Sequence, residues 1–179
     1  MITEQIDMGI ANSSNGGGFT EEDLQKQSFP DASVSELKIK ARESPQDLSL
    51  GDWKNILTPQ QFNVTRLKGT ERAFTSDLNN VSEDGNFLCI NCENNLFNYK
   101  TKFNSGTGWP SFYAPTNQTT SIATDTDYNI GVARTEVHCA RCTAHLGHVF
   151  NDGPQPTGER YCINGAALKF VNGKWIILW

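Results

Sequence analysis

No apolar run in this 179-residue sequence approaches the roughly 18 residues that cross a bilayer as a helix, and no amino-terminal apolar stretch reads as a secretion signal. Positive charge is scarce. Fifteen Lys and Arg against twenty Asp and Glu leave a net −5, so there is no basic footprint for nucleic acid. The first 41 residues contain no arginine and are acidic, which excludes an arginine-rich mitochondrial transit peptide. Residues 1–46 also lack Trp, Tyr and Cys, have only Phe19 and Phe29 as aromatics, and include the polar run Asn12 to Gly18. They hold eight acids and four bases, which places −4 of the −5 there. With so little to bury, this segment is expected to be a disordered tail with one short helix near 21–27, followed by a folded domain over 47–179. The chain shows neither βαβ alternation nor a repeat of 20–50 residues, so parallel α/β and solenoid folds are not expected.

Cysteine is present in a telling number. Four of the five form two equally spaced pairs, Cys89-Ile90-Asn91-Cys92 and Cys139-Ala140-Arg141-Cys142, and Cys162 stands apart. Two C-x-x-C knuckles supply the four thiolates of a closed tetrahedral zinc site, which is structural because it leaves no open coordination position. Forty-six residues separate Cys92 from Cys139, so the metal would close a long loop. Such sites contribute about 10–16 kcal/mol of apparent binding energy to folding. The alternatives are unligated core cysteines, or a mixed set that recruits His138 or His145. An odd cysteine count with C-x-x-C pairs suits a reducing compartment. The cytoplasm is the expected address and the nucleus the alternative.

Helix signals open the domain. Thr58-Pro59-Gln60-Gln61 reads as an N-cap, a first-turn proline and a capping-box glutamine, and Ser49-Leu50-Gly51-Asp52 as an earlier helix start. Beyond Thr65 the pattern turns to β, with strands expected at 86–90, 130–138, 160–163, 166–171 and 174–179, the last two joined by an Asn172-Gly173 hairpin turn. The fold class is therefore mainly β and antiparallel, with short amino-terminal helices.

In a strand, Arg160, Cys162 and Asn164 share one face, which sets a guanidinium and a carboxamide beside a thiol. A neighbouring positive charge favours the nucleophilic thiolate, whereas a buried inert cysteine would not usually share its face with such groups. His145-Leu146-Gly147-His148 offers two imidazoles for acid–base work if an irregular or helical turn points both the same way. The pair could instead be a satisfied surface pair or part of a second metal site, although no local acid completes such a site. Gly106-Thr107-Gly108-Trp109-Pro110 is a glycine-rich loop whose tryptophan either joins the core or walls a pocket.

These segments resemble a known family. Thr65 to Glu71, Ser105 to Phe112, Arg134 to Cys139, Cys142 to Phe150, Asp152 to Pro154 and Pro156 to Asn164, with both knuckles in order, are similar to the zinc-containing methionine-R-sulfoxide reductases over about two-thirds of the chain. The resemblance implies two antiparallel sheets leaning together as a β-tent, and reduction of the R epimer of methionine sulfoxide in oxidised proteins or peptides. It implies Cys162 as nucleophile and Arg160 as its partner. Trp109 and Phe150 become the cage for the substrate methyl group, and His145, His148 and Asn164 the polar groups around the sulfoxide. Cys89, Cys92, Cys139 and Cys142 become the zinc ligands. One departure stands out. Many members carry a resolving cysteine where this chain has Thr107, so recycling is expected to need an external thiol such as thioredoxin, glutaredoxin or glutathione. A monomer is expected, with neither nucleic acid nor membrane as partner. The rival reading is a non-enzymatic zinc-stabilised β-tent module that binds a ligand in an aromatic pocket and has no use for Cys162.

Overall fold

Capping chemistry sets the helices. The computed structural model describes residues 32–127 and 133–173, and among them three α-helices precede nine strands. Helices α1 (Val34–Glu43), α2 (Leu50–Ile56) and α3 (Pro59–Leu67) each begin with a capping box, formed by Ser33 with Glu36, Ser49 with Asp52, and Thr58 with Gln61. Each box satisfies two backbone donors that the first turn leaves orphaned. The α2 and α3 starts are those the sequence predicts. Helix α1 corrects the expected tail. Leu37 and Ala41 are buried with Leu48 and Trp53, so residues 34–46 belong to the folded unit. Two apolar positions a turn apart suffice to anchor a helix whose composition is otherwise polar. The expected helix near 21–27 lies outside the described residues, as do the strand at 174–179 and the first part of the strand at 130–138.

The strands are β1 (Gly85–Cys89), β2 (Asn95–Asn98), β3 (Lys102–Phe103), β4 (Ser111–Phe112), β5 (Ile122–Asp127), β6 (Arg134–Cys139), β7 (His145–Phe150), β8 (Arg160–Ile163) and β9 (Leu168–Asn172). They form two antiparallel sheets, ordered β2-β1-β9 and β3-β4-β8-β7-β6-β5, as the fold reading anticipates. Strands β2, β3, β4, β5 and β7 are not foreseen. Two are only two residues long, and β5 (Ile-Ala-Thr-Asp-Thr-Asp) is too polar to stand out as a strand. The core lies between the sheets. Phe97 of β2 stacks on Phe112 of β4 at 4.4 Å and 13°, and Phe87 of β1 meets Phe112 edge-on at 4.9 Å. Val137, Ile163 and Tyr161 fill the same layer.

The two cysteine knuckles are copies of one another. Each C-x-x-C is followed by a residue in the left-handed region, Glu93 at φ 58° and Thr143 at φ 58°. In each, the first cysteine's carbonyl accepts the N–H of that residue, and its own N–H donates to the carbonyl one residue further on. The first knuckle joins β1 to β2 in the small sheet and the second joins β6 to β7 in the large one. A metal between them would staple the two sheets. Arg66 of α3 ties the helices to this corner, with its guanidinium 4.1 Å over the Trp53 ring and donating to the Cys142 carbonyl at 2.9 Å.

Candidate active site and metal centre

Strand pairing across the large sheet brings one residue from each of five strands into a row. Asp125 (β5) pairs Glu136 (β6), Glu136 pairs His148 (β7), His148 pairs Cys162 (β8), and Cys162 pairs Ser111 (β4). The adjacent row is Asp127, Arg134 and, through β7 and β8, Phe150 and Arg160. Because side chains alternate across a sheet, these polar groups occupy the face opposite Val137, Val149, Tyr161 and Ile163, which face the core. Close approach of β7 to β8 depends on Gly147, since a Cβ there would sit 2.0 Å from the Cys162 carbonyl oxygen.

His145 joins the same face through an irregularity. It does not lie on an irregular or helical turn, as the spacing suggests. It begins β7, where the register against β6 shifts between Val137 and His138, so that His138 pairs His145 and Val137 pairs Gly147. Leu146 is the extra residue of a β-bulge, and the bulge cancels the alternation that would otherwise send positions three apart to opposite faces. The two imidazole rings lie 5.5 Å apart, edge to face.

Acids distant in sequence hold these histidines, which is why no local spacing reveals them. His145 Nδ1 is 2.7 Å from Glu136 Oε1, and Lys68 Nζ donates to Glu136 Oε2 at 2.8 Å. His148 Nε2 is 2.8 Å from Asp127 Oδ2, the oxygen that also accepts from Arg134 at 2.7 Å. Burial alone would push the Glu136 carboxyl up, but His145 and Lys68 together hold it down to about 2. Burial lowers His148 against the pull of Asp127. Glu136, Asp127 and Lys68 are the groups that sequence reasoning missed. Lys68 and Glu136 lie inside the resembling segments 65–71 and 134–139 without standing out there, and Asp127 shows only as part of the acidic alternation with Asp125.

Cys162 is half-buried, with its sulfur 3.9 Å from Thr107 Oγ1. Thr107 is in turn bonded to Ser105 at 2.8 Å, and Ser105 to Ser111 at 2.7 Å. The thiol is not tilted toward thiolate, as its arginine neighbour suggests. Burial pushes it up, opposed by Thr107 and Arg160. The guanidinium is committed elsewhere. It makes a bidentate pair with Asp152 at 2.8 and 2.9 Å and lies 4.5 Å over the Phe150 ring. Arg160 thus fixes Phe150 as well as lending charge to the thiol.

Asn164 is 97% buried and spends its amide on the frame. Its Oδ1 accepts the Glu71 N–H at 3.0 Å and its Nδ2 donates to the Leu146 carbonyl, at the bulge, at 2.9 Å. Glu71's carbonyl accepts Trp109 Nε1–H at 3.1 Å, while its carboxylate takes the N–H groups of Gly165 and Ala166 at 2.6 and 2.8 Å. Trp109 is half-buried and hangs on the same frame as the bulge that carries His145. A cavity of about 150 Å³ is lined by Trp109, Phe74 and Lys102 among others, but none of Cys162, His145 or His148 lines it.

The four knuckle sulfurs are buried and lie within 4.8 Å of one another, with Cys89–Cys142 and Cys92–Cys139 each at 3.6 Å. Zinc–sulfur bonds of about 2.3 Å at tetrahedral angles place sulfurs about 3.8 Å apart, so the set fits a metal ion. His138 is paired with Asp125 at 3.0 Å and His145 with Glu136, so neither joins the sulfurs. Among the described residues no second group of this kind forms around His145 and His148.

Residues 57–172 match the SelR domain. The chain is 54% identical over 123 residues to the peptide methionine sulfoxide reductase MsrB of Pseudomonas syringae pv. syringae, covering 69% of this chain and 93% of that protein. It is 54% identical over 124 residues to MsrB of Pseudomonas putida, covering 69% and 92%. Against the chloroplastic peptide methionine sulfoxide reductase B1 of Arabidopsis thaliana it is 54% identical over 123 residues, covering 68% and 60%.

Proposed function

The chain belongs to the SelR family of methionine-R-sulfoxide reductases, and from that premise we propose that Cys162 is the residue that reduces the substrate. The reaction converts a peptide methionine-R-sulfoxide to methionine. The Cys162 thiolate attacks the sulfoxide sulfur and the oxygen passes to the cysteine as a sulfenic acid, with a proton supplied to that oxygen by the imidazole pair. Trp109 and Phe150 hold the methyl group between them, one fixed through Glu71 and the other under Arg160. Asn164 acts by holding the frame, since both ends of its amide are bonded to backbone.

The row that pairs Cys162 directly with His148 carries this reading, because a binding module has no need of a thiol opposite an imidazole. The metal held by Cys89, Cys92, Cys139 and Cys142 is proposed to be zinc, and its chemistry is that of a clamp. Recycling is proposed to draw on two external thiols, from thioredoxin, glutaredoxin or glutathione, which return Cys162 to the thiol and release water. A monomer acting in the cytoplasm or nucleus completes the proposal.

The test is turnover on separated R and S epimers of a methionine-sulfoxide peptide, with wild type and Cys162→Ser. Activity on the R epimer alone, lost in the variant with metal content unchanged, is expected. Equal use of both epimers, or an active Cys162→Ser protein, would defeat the assignment.

A further inference from the structure

Besides its place in the methyl cage, Trp109 lines the cavity of about 150 Å³ together with Phe74, Lys102 and Ser105. Cavities of about this volume admit a group as large as benzene, so a single side chain fits. The cavity also lies near the thiol. Ser105 Oγ is 2.8 Å from Thr107 Oγ1, and Thr107 Oγ1 is 3.9 Å from the Cys162 sulfur, so the two contacts end to end put Ser105 Oγ at most about 6.7 Å from that sulfur. An extended chain advances about 3.3–3.6 Å per residue, so a residue one or two positions from a bound sulfoxide reaches that far.

Lys102 gives the cavity a charge without a counter-charge. Its ammonium is half-buried and donates to the Asn79 carbonyl at 2.7 Å, and among the described residues no carboxylate pairs with it. Lys68, Lys169, Arg134 and Arg160, by contrast, each meet an acid. An ammonium carries three donors, and the carbonyl takes one. Burial lowers Lys102 from its ordinary value, and no neighbouring acid holds it up. A carboxylate arriving in the cavity would supply the missing charge through a charge-assisted hydrogen bond.

Phe74 is held out of the core beside it. Its backbone lies in the left-handed region at φ 65°, which bulky residues avoid, and the residue is 74% exposed. Its N–H donates to the Gly108 carbonyl at 2.8 Å, and its ring comes within 2.8 Å of where a Cβ on Gly108 would stand. Three residues earlier, the Glu71 carbonyl holds the Trp109 indole. One segment therefore fixes both aromatic walls, and it does so with a strained backbone and an exposed ring. Strain of this kind clusters at ligand clamps.

We propose that this cavity is a subsite for the acidic side chain of a residue one or two positions from the oxidised methionine, with Lys102 pairing its carboxylate and Phe74 and Trp109 covering its methylene stem. Lys102 is then a specificity-determining residue and takes no part in the chemistry at Cys162. The inference rests on the reading of the chain as a reductase of peptide methionine-R-sulfoxide.

The experiment measures reduction, by the full metal-loaded chain, of peptides centred on methionine-R-sulfoxide. Each carries Glu, Gln, Lys or Phe at one of the four positions within two residues of the centre, and alanine elsewhere. At one or more of these positions wild type should show a KM about 5- to 10-fold lower with Glu than with Gln, and a higher one still with Lys, with kcat within about two-fold throughout. Lys102→Glu should reverse the order at the same position, and Lys102→Met should level Glu with Gln. A wild type that reduces none of the peptides defeats the reductase reading itself. One that reduces them all with equal KM leaves that reading intact and overturns the subsite. A preference for Phe over Glu means an apolar occupant and overturns it too, as does a Glu preference that survives in both variants. If Lys102→Glu does not fold, Lys102→Met, which keeps an unbranched stem, decides alone: equal KM for Glu and Gln supports the proposal, and the wild-type ratio overturns it.

Discussion

Replacing Thr107 by cysteine should give this protein an internal route for recycling. Thr107 Oγ1 lies 3.9 Å from the Cys162 sulfur, so a sulfur in its place must move about 1.9 Å to reach the ~2.05 Å of a disulfide. The loop can supply that movement, because Thr107 sits between Gly106 at φ 71° and Gly108 at φ 91°, two residues with wide backbone freedom. The change forfeits the Thr107–Ser105 hydrogen bond, worth about 1 kcal/mol. Against this, a cross-link closing 55 residues constrains the unfolded chain by about 4 kcal/mol on the chain-entropy model. The oxidised variant should therefore unfold at a higher temperature than its reduced form.

Mass spectrometry after one turnover without reductant reads the chemistry. Wild type should gain one oxygen, which a dimedone-type probe traps on Cys162, while Thr107→Cys should lose two hydrogens. The reasoning is refuted if the variant, loaded with metal and fully oxidised, forms no bond between positions 107 and 162. The loop would then lie farther from Cys162 than the 3.9 Å contact implies, and the cage role of Trp109 would fall with it. An internal disulfide in wild type would instead mean that a metal-binding cysteine doubles as resolver.

Three further outcomes are expected. Cys92→Ser or Cys139→Ser should lose the metal, about one ion per chain in wild type by elemental analysis, and should lose cooperative unfolding; a fully loaded, folded variant would contradict the ligand set. Alkylation of Cys162 by iodoacetamide should accelerate with pH to a midpoint above the ordinary thiol range, because burial raises the folded-state value; Asp152→Asn, which frees Arg160, should move that midpoint down, and an upward shift would contradict the charge assignment. Truncation at residue 47 should destabilise the protein by about 2 kcal/mol in thermal unfolding, since it strips buried Leu37 and Ala41 from Leu48 and Trp53; an unchanged midpoint would mean that α1 contributes nothing.

Local chemistry was legible in the sequence and long-range pairing was not. Capping boxes announced α2 and α3, the matched knuckles announced the metal set, and the strand 160–163 was found to the residue. The thiol's neighbours on β8 followed from alternation alone. Helix α1 was missed because two buried residues in ten give little compositional signal. Strand β7 was missed because its bulge breaks the alternation by which strands are recognised. Glu136 and Asp127 reach their histidines from 9 and 21 residues away, and nothing short of the sheet's pairing brings them there. The thiolate expected of Cys162 is opposed chiefly by burial, which strand alternation does not reveal, while Arg160, paired with Asp152 on the loop after β7, still pulls the other way.

The row running from Asp125 to Ser111 has a consequence for how this chain can fail. Its members are neighbours because five strands hold one registry, and no loop assembles them. A slip of one residue in β7 would turn His148 inward and present Val149 to Cys162, burying an imidazole and exposing a core valine together. Misregistered chains would be penalised by the core before they could persist as sluggish catalysts. A population of this protein should thus divide into fully competent and unfolded molecules, with specific activity tracking the folded fraction.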